Sequence, residues 1–155
     1  MSSLDDGATT VLAVASGGGH WEQLMLLRPT LDQFATVYVT TNADVVKRDG
    51  ISTSLVIPDS NRHVPMAVLR TVFSAARIVI KVRPRVVVTT GALPGLACLV
   101  LARLLGARTV WIDSLANSER LSISGRFARS FSSVWLTQWP KVSEETGAQF
   151  SGCLL

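Results

Sequence analysis

Residues 10–20 (TVLAVASGGGH) decide the fold class of this 155-residue chain. Residues 10–15 form a short apolar run, which is typical of a buried parallel strand. Three consecutive glycines and His20 follow directly, and an apolar pattern at helical spacing begins at Trp21. A buried strand, a glycine-rich turn and a helix in this order predict the first unit of a parallel α/β sheet.

The same alternation of strand and helix continues along the chain. Apolar and β-branched runs predict further strands at residues 35–40, 54–57, 85–90, 108–112 and 133–137, with the clearest helices at 65–82 and 94–105. Strands that alternate with helices indicate a doubly wound parallel sheet covered on both faces. We therefore expect one domain over residues 1–155 with strand order 3-2-1-4-5, and the pattern fades after Gln138.

Three loops of the predicted sheet converge on one edge. Ligands of such sheets bind beyond the carboxyl ends of the strands, where the strand order reverses. Here that place lies between the first and fourth strands, at residues 16–20 and 91–94, with residues 113–118 next to them. The candidate binding residues in these loops are Ser16, Gly17, Gly18, Gly19, Gly91, Pro94, Ser114, Asn117 and Ser118.

The glycine-rich turn predicts an anion site, because backbone N–H groups and the following helix N-terminus can approach a phosphate closely. A tight strand-to-helix turn also requires glycine, so a purely structural role is the alternative. The dinucleotide fingerprint fits poorly, since Glu22 stands where its third glycine belongs. No G-x-x-x-x-G-K-[ST] motif is present, which excludes a P-loop nucleotidase.

Two titratable residues at this edge are candidates for catalysis. A neutral imidazole at His20, kept uncharged by the helix N-terminus, could act as a general base near pH 7. A structural, hydrogen-bonded histidine is the alternative. Asp113 closes a buried strand at the same edge, where it could serve as a second base, orient a hydroxyl group or cap the next segment.

Charge and hydropathy are distributed unevenly. The net charge is +4, yet residues 1–63 hold four basic and seven acidic side chains, whereas residues 64–155 hold eleven and four. A basic, apolar half favours an anionic partner such as a phosphate-bearing substrate or a membrane surface. Aromatic residues are few and are not interleaved with basic ones, so the sequence does not favour nucleic acid.

The helix predicted at residues 65–82 carries Arg70, Arg77 and Lys81 on one face and large apolar side chains elsewhere. A basic, apolar helix of this kind suits a membrane interface. A helix that covers the core and presents a solvated basic stripe is the alternative.

Three motifs together resemble one group of glycosyltransferases. They are SGGGH at residues 16–20, TTGALPG at 89–95 and IDS at 112–114. In this order they are similar to the acceptor-side subunits of two-component GT-B glycosyltransferases. That group includes PssD-type exopolysaccharide subunits and the eukaryotic subunit of dolichol-linked oligosaccharide synthesis. The N-terminal half of MurG, the peptidoglycan lipid transferase, shows a similar pattern, and the resemblance spans residues 10–139.

The resemblance implies a Rossmann-like half of an inverting GT-B enzyme that is divided between two chains. This chain would bind a polyprenyl-diphosphate-linked glycan, and a second subunit would carry the UDP-sugar site for GlcNAc or glucuronic acid. The resemblance further implies that residues 17–19 approach a diphosphate and that His20 is the base. Asp113 would be the alternative base or the group that orients it. Neither a metal nor another cofactor is implied, and the sequence has no Asp-x-Asp motif.

The resemblance also implies a cytoplasmic protein attached peripherally to the inner face of the cell membrane. We expect residues 139–155 to contact the partner chain. Two alternatives remain at this point: a non-catalytic subunit that recruits a partner glycosyltransferase, and a stand-alone nucleotide-binding domain.

Overall fold

The molecule is built around one seven-stranded parallel sheet with the strand order β3-β2-β1-β4-β5-β6-β7. The computed structural model describes residues 8–60 and 63–154, so residues 1–7, 61, 62 and 155 of the expected domain lie outside the described residues. The strands are β1 (Thr10–Val14), β2 (Ala35–Thr40), β3 (Ser54–Val56), β4 (Val86–Thr89), β5 (Arg108–Ile112), β6 (Val134–Thr137) and β7 (Gln149–Phe150). The predicted order 3-2-1-4-5 is confirmed, and β6 and β7 extend it.

Seven helices connect the strands in the described part of the chain. They are α1 (Gly19–Leu26), α2 (Arg28–Leu31), α3 (Ala43–Arg48), α4 (Pro65–Val82), α5 (Ala92–Leu104), α6 (Ile123–Ala128) and α7 (Pro140–Thr146). A single 3₁₀ turn, Arg129–Phe131, leads into β6. The predicted doubly wound α/β class is therefore confirmed.

The alternation of side chains along β1 divides the core into two layers. Leu12 and Val14 point to a cluster built with α4 and α5, whereas Val11 and Ala13 pack with Trp21 and other residues of α1, α2 and α3. Val11 to Val14 are all buried because a central parallel strand is covered on both faces. This continuous burial explains the unbroken apolar run from which the fold was predicted.

Two parts of the predicted secondary structure differ from the structure. The helix expected from Pro94 begins at Ala92, and Pro94 occupies its first turn, where a missing N–H breaks no intrahelical bond. The region after Gln138, where the sequence pattern fades, contains α7 and the edge strand β7. Both elements are too short to show a periodic pattern.

Candidate functional site

The glycine-rich turn after β1 closes onto the end of β2. Gly17 N–H donates to Thr41 Oγ1 at 2.9 Å, and a Cβ atom at Gly17 would lie 3.0 Å from the Cβ of Asn42. Gly18 has a φ of 74°, a conformation that favours glycine, and α1 begins at the next residue, Gly19, without a side-chain cap. The N–H groups of the first turn of α1 have no intrahelical partners and form the positive end of that helix.

His20 is held against the loop that follows β4. Its Nδ1 lies 2.8 Å from the carbonyl oxygen of Thr90, and Thr90 Oγ1 donates to the His20 carbonyl at 2.7 Å. In the neutral ring Nδ1–H must be the donor to this carbonyl, so the lone pair resides on Nε2. This tautomer is the one in which Nε2 can accept a proton.

Because Gly91 has no side chain, the imidazole of His20 can lie close to the backbone of the loop after β4. A Cβ atom at Gly91 would lie 2.8 Å from His20 Cε1, and its φ of 126° also favours glycine. Ala92, the next residue, has a φ of 67°, an uncommon conformation for a residue with a side chain. The loop after β4 is therefore shaped around the histidine ring.

A polar cavity of about 420 Å³ opens beside the turn, and we call it the edge cavity. Of the predicted binding residues, it brings together Ser16, Gly17, Gly18 and Pro94. Ala92 and Leu93 also line it and lie in the predicted loop 91–94, whereas Gly19, His20 and Gly91 are not among its lining residues. The lining residues that were not predicted are Thr41, Asn42, Asp59 and Ser60. Thr41 and Asn42 follow β2 and Asp59 follows β3, so the rule that ligands bind at the carboxyl ends of strands was the signal that could have found them.

Asp113 lies at the same edge but is buried, with 1% of its surface exposed. Its Oδ1 accepts from Trp111 Nε1 at 3.1 Å and from Ser122 Oγ at 2.6 Å. Its Oδ2 accepts from Asn117 Nδ2 and from Ser122 N–H, both at 3.0 Å. Ser122 in turn caps α6 through Gly125 N–H. The carboxylate therefore organises the loop between β5 and α6.

Gln23 and Gln138 link helix α1 to the loop that follows β5. Gln23, one turn after His20, donates to Ser114 Oγ at 3.2 Å and accepts from Leu115 N–H at 3.0 Å. Gln138 Nε2 contacts Gln23 Oε1 at 2.6 Å and the Asp113 carbonyl at 2.9 Å, and its own Oε1 accepts from Leu154 N–H. The helix that carries His20 is thus tied to β5, β6 and the C-terminal segment.

Three of the predicted binding residues occupy the β5 side of the edge. Ser114 contacts Gln23, and Asn117 contacts Asp113. Ser118 is exposed in the loop that leads to α6. Within the part of the chain that the structure describes, none of the three lines the edge cavity. The β1 and β4 loops therefore converge more closely than the β5 loop does.

An ion-pair cluster lies under the start of α1. Trp21 Nε1, directly after His20, donates to Asp49 Oδ2 at 2.6 Å, and Arg48 binds the same carboxylate at 2.8 Å. Arg48 and the indole N–H together lower the pKa of Asp49 to about 2. The aspartate stays charged at neutral pH and anchors the first turn of α1 to α3.

The exposed face of α4 is apolar as well as basic. Met66, Leu69, Phe73 and Ile80 are exposed, and Phe73 has 65% of its surface accessible. Arg77 stacks over the Phe73 ring with its guanidinium carbon 6.0 Å from the ring centroid. The buried face of α4 consists of Thr71, Ala75, Ile78 and Val79. No helix within residues 8–60 and 63–154 is long and apolar enough to cross a membrane.

The fold has counterparts in MurG and in UDP-GlcNAc 2-epimerases. MurG from Acinetobacter baumannii superposes with a TM-score of 0.71 at 18% identity, over 86% of this chain and 43% of MurG. A UDP-GlcNAc 2-epimerase from Methanocaldococcus jannaschii superposes with a TM-score of 0.67 at 13% identity, over 88% of this chain and 41% of the epimerase. The chain therefore spans less than half of either protein, and its fold is that of one Rossmann-like half of a GT-B structure.

Sequence comparison identifies the family. A sequence-family model described as "Oligosaccharide biosynthesis protein Alg14 like" matches residues 50–154. The UDP-N-acetylglucosamine transferase subunit ALG14 of Eremothecium gossypii is 31% identical over 86% of this chain and 74% of the relative. Its counterpart from Yarrowia lipolytica is 26% identical over 94% of this chain and 81% of the relative.

The chain belongs to the Alg14-like family. The resemblance drawn from its three motifs is thus confirmed, as is the expectation of a glycosyltransferase subunit.

Proposed function

We propose that this chain is the acceptor-binding, membrane-associated subunit of a two-chain inverting glycosyltransferase. The enzyme would transfer a sugar from a UDP-sugar to a polyprenyl-diphosphate-linked glycan. The names of the two ALG14 relatives favour GlcNAc over glucuronic acid as that sugar. The observation that carries the proposal is the bond from His20 Nδ1 to the Thr90 carbonyl. In the neutral ring it leaves Nε2 as a proton acceptor, two residues after Gly18, which lines the edge cavity.

His20 supplies the base in this mechanism. An inverting transfer is a single displacement in which an acceptor hydroxyl attacks the anomeric carbon while the bond to UDP breaks. Nε2 of His20 takes the hydroxyl proton, and Nδ1–H stays bonded to Thr90, whose carbonyl stabilises the imidazolium. Asp113 acts as a positioning residue for the neighbouring loop, since its two carboxylate oxygens already accept four hydrogen bonds.

The glycine-rich turn binds the diphosphate of the acceptor. The N–H groups at the start of α1 supply donors and a partial positive charge for an anion. Ser16 and Ser60 line the same edge cavity. Asp59 also lines it, and its carboxylate favours an approach of the diphosphate along the Gly17–Gly18 side.

The α4 surface attaches the protein to the cytosolic face of a membrane. Exposed Leu69, Phe73 and Ile80 would enter the headgroup region, and Arg70, Arg77 and Lys81 would meet lipid phosphates. Residues 139–155, which include α7 and β7, contact the second subunit. That subunit supplies the UDP-sugar site.

The membrane surface is tested by sedimentation with vesicles that contain about 30% phosphatidylglycerol, so that anionic headgroups are present for the basic side chains. Phe73→Ser should lower the bound fraction several-fold, because it removes an exposed aromatic ring from the apolar stripe. Leu26→Ser, at a residue 52% exposed on α1 in the opposite helix layer, is the matched control and should bind as the unchanged chain does. Equal binding by all three proteins would refute the assignment of α4.

The enzyme itself is tested by co-expression with a candidate donor subunit from the same genome. Transfer from UDP-GlcNAc to a phytanyl-diphosphate-GlcNAc acceptor is then measured for each chain alone and for the purified pair. The proposal predicts transfer only by the pair. Transfer by this chain alone, or none by any pair that forms a stable complex, would contradict it.

A further inference from the structure

A second cavity adjoins the edge cavity and differs from it in chemistry. It lies between α5 and α6, has a volume of about 590 Å³, and we call it the α5–α6 groove. Its walls are mainly apolar and are formed by Leu93, Leu96, Ile123 and Phe127. Phe127 and Ile123 are exposed, with 65% of the Phe127 surface accessible. Large apolar side chains in such positions mark a binding surface when they are grouped in a concave site.

The two cavities share a wall. Ser60, Ala92 and Leu93 line both the edge cavity and the α5–α6 groove. A ligand could therefore run without interruption from the Gly17–Gly18 turn into an apolar groove. The order of the two environments, first polar and then apolar, is the order found in a diphosphate that carries a long hydrocarbon chain.

Ser60 marks the junction between the two environments. Its hydroxyl is buried and has no hydrogen-bond partner among residues 8–60 and 63–154. Buried polar groups in native proteins are nearly always paired, so an unpaired hydroxyl on a residue that lines both cavities indicates a missing partner. A phosphate oxygen placed at the junction would accept its hydrogen bond.

We propose that the α5–α6 groove binds the first isoprene units of the diphosphate-linked lipid acceptor, with Ser60 donating to the diphosphate where the two cavities meet. This inference rests on the proposed function, and it adds how the lipid part of the acceptor is selected. The groove is distinct from the α4 surface, which would contact bulk lipid. Recognition of the hydrocarbon chain then comes from this subunit and does not depend on embedding it in a membrane.

Binding of farnesyl diphosphate to the full chain, without vesicles, tests the groove. Isothermal titration should show that farnesyl diphosphate binds at least about tenfold more tightly than inorganic diphosphate, since apolar burial adds to the same ionic contacts. Phe127→Ser should weaken farnesyl diphosphate binding about tenfold and leave inorganic diphosphate binding unchanged. Leu104→Ser, at a 69% exposed leucine at the far end of α5, is the matched control and should bind as the unchanged chain does.

A second variant controls for a folding defect. Ser124→Trp should fill the groove and exclude the farnesyl chain, and circular dichroism would verify that both groove variants remain folded. Equal affinity for farnesyl diphosphate and inorganic diphosphate would overturn the inference. It would also be overturned if folded Phe127→Ser and Ser124→Trp bound the lipid as tightly as the unchanged chain does.

Two further arms separate this inference from the proposals on which it rests. Phe73→Ser should weaken vesicle binding several-fold yet keep farnesyl diphosphate binding, whereas weakening of both would show that the lipid binds the α4 surface and refute the groove. If the two-chain complex transferred no sugar but farnesyl diphosphate binding still depended on Phe127, the groove would stand and the transferase proposal would fail. Normal transfer with lipid binding that is insensitive to the groove variants would refute the groove and support the transferase proposal.

Discussion

The loops after β1 and after β5 reach the same edge of the sheet but use their polar groups in opposite ways. In the β5 loop, Asp113 is 1% exposed and its carboxylate accepts four hydrogen bonds from its own neighbourhood. In the β1 loop, Gly18 precedes α1 without a side-chain cap, and His20 has Nδ1 bound and Nε2 available as an acceptor. The polar contacts of Asp113 are therefore structural, and we propose that the ligand binds at the β1 loop instead.

The strongest effect is expected on transfer, from a change in the β1 loop. His20→Asn should lower the rate of sugar transfer by the two-chain complex by roughly 10²- to 10⁴-fold, because the amide can still donate to Thr90 but cannot accept a proton. Thermal unfolding should change little, since the bond to the Thr90 carbonyl is kept. A steady-state transfer assay beside a melting curve tests both points. Transfer within a few-fold of the unchanged complex would remove His20 as the base.

A substitution in the β5 loop should mainly lower the stability of the fold. In Asp113→Asn, an NH₂ group replaces one carboxylate oxygen and faces the N–H and O–H donors that this oxygen accepts from. Because those donors lose their acceptor, the substitution should lower the free energy of unfolding by about 2–4 kcal/mol. Denaturant unfolding measures this difference. Glu119→Gln, an exposed carboxylate in the same loop, is the control and should stay within about 0.5 kcal/mol. If Asp113→Asn folded as stably as the unchanged chain but lost transfer, the contrast between the two loops would not hold.

A smaller and mixed effect is expected at the link between the loops. Gln23→Ala leaves Leu115 N–H and Ser114 without their partner on α1, so it should cost about 1–3 kcal/mol of unfolding free energy. Transfer should also fall several-fold, because the helix that positions His20 is no longer tied to β5. Gln33→Ala, which removes an exposed side-chain bond to Pro29, is the matched control. Unfolding and transfer are measured on the same preparations, and a variant unchanged in both would show that the loops are independent.

Much of the fold could be predicted because its signals are local. The unbroken apolar run at residues 11–15 reflects a central strand covered on both faces, and glycine turns mark where strands end. The strand β7 and the helix α7 were not predicted, because two and seven residues give no usable periodicity. The place of β7 in the fold depends on contacts between strands, such as the pairing of Gln149 with Leu136 of β6, that no local pattern encodes.

The candidate site was predictable only in outline. The rule for parallel sheets predicted that residues 16–20 and 91–94 would meet, and His20 does contact Thr90 and Gly91. The same rule could not tell that Asp113 would be enclosed by Trp111, Asn117 and Ser122. Those partners are set by the path of the loop, and the sequence shows only a carboxylate after a buried strand. The position of Ser60 at the junction of two cavities could not be predicted from the sequence either.

The weakest effect is expected at the ion-pair cluster under the β1 loop. The pKa of Asp49 is lowered to about 2 by Arg48 and by the indole N–H of Trp21, whereas an aspartate in an unfolded chain has a pKa of about 3.9. A lowered carboxyl pKa contributes stability that is fully present above pH ~4 and is lost as the pH falls through about 2. Asp49→Asn should therefore remove a small acid-sensitive part of the stability, about 1 kcal/mol or less for a partly exposed pair.

The measurement is denaturant unfolding at several values of pH between about 5 and about 2.5, an interval over which most of the stability that depends on Asp49 is lost, for the unchanged chain and for Asp49→Asn. The unchanged chain should lose more stability over this interval than the variant does, and Trp21→Phe, which removes one donor, should fall between them. Asp32, whose pKa is lowered by Tyr38 and Arg28, contributes in the same direction and remains in every variant. If the free energy of unfolding fell equally toward low pH in the unchanged chain and in Asp49→Asn, the cluster would not anchor α1. The positioning of His20 would then depend on Thr90 and Gln23 alone.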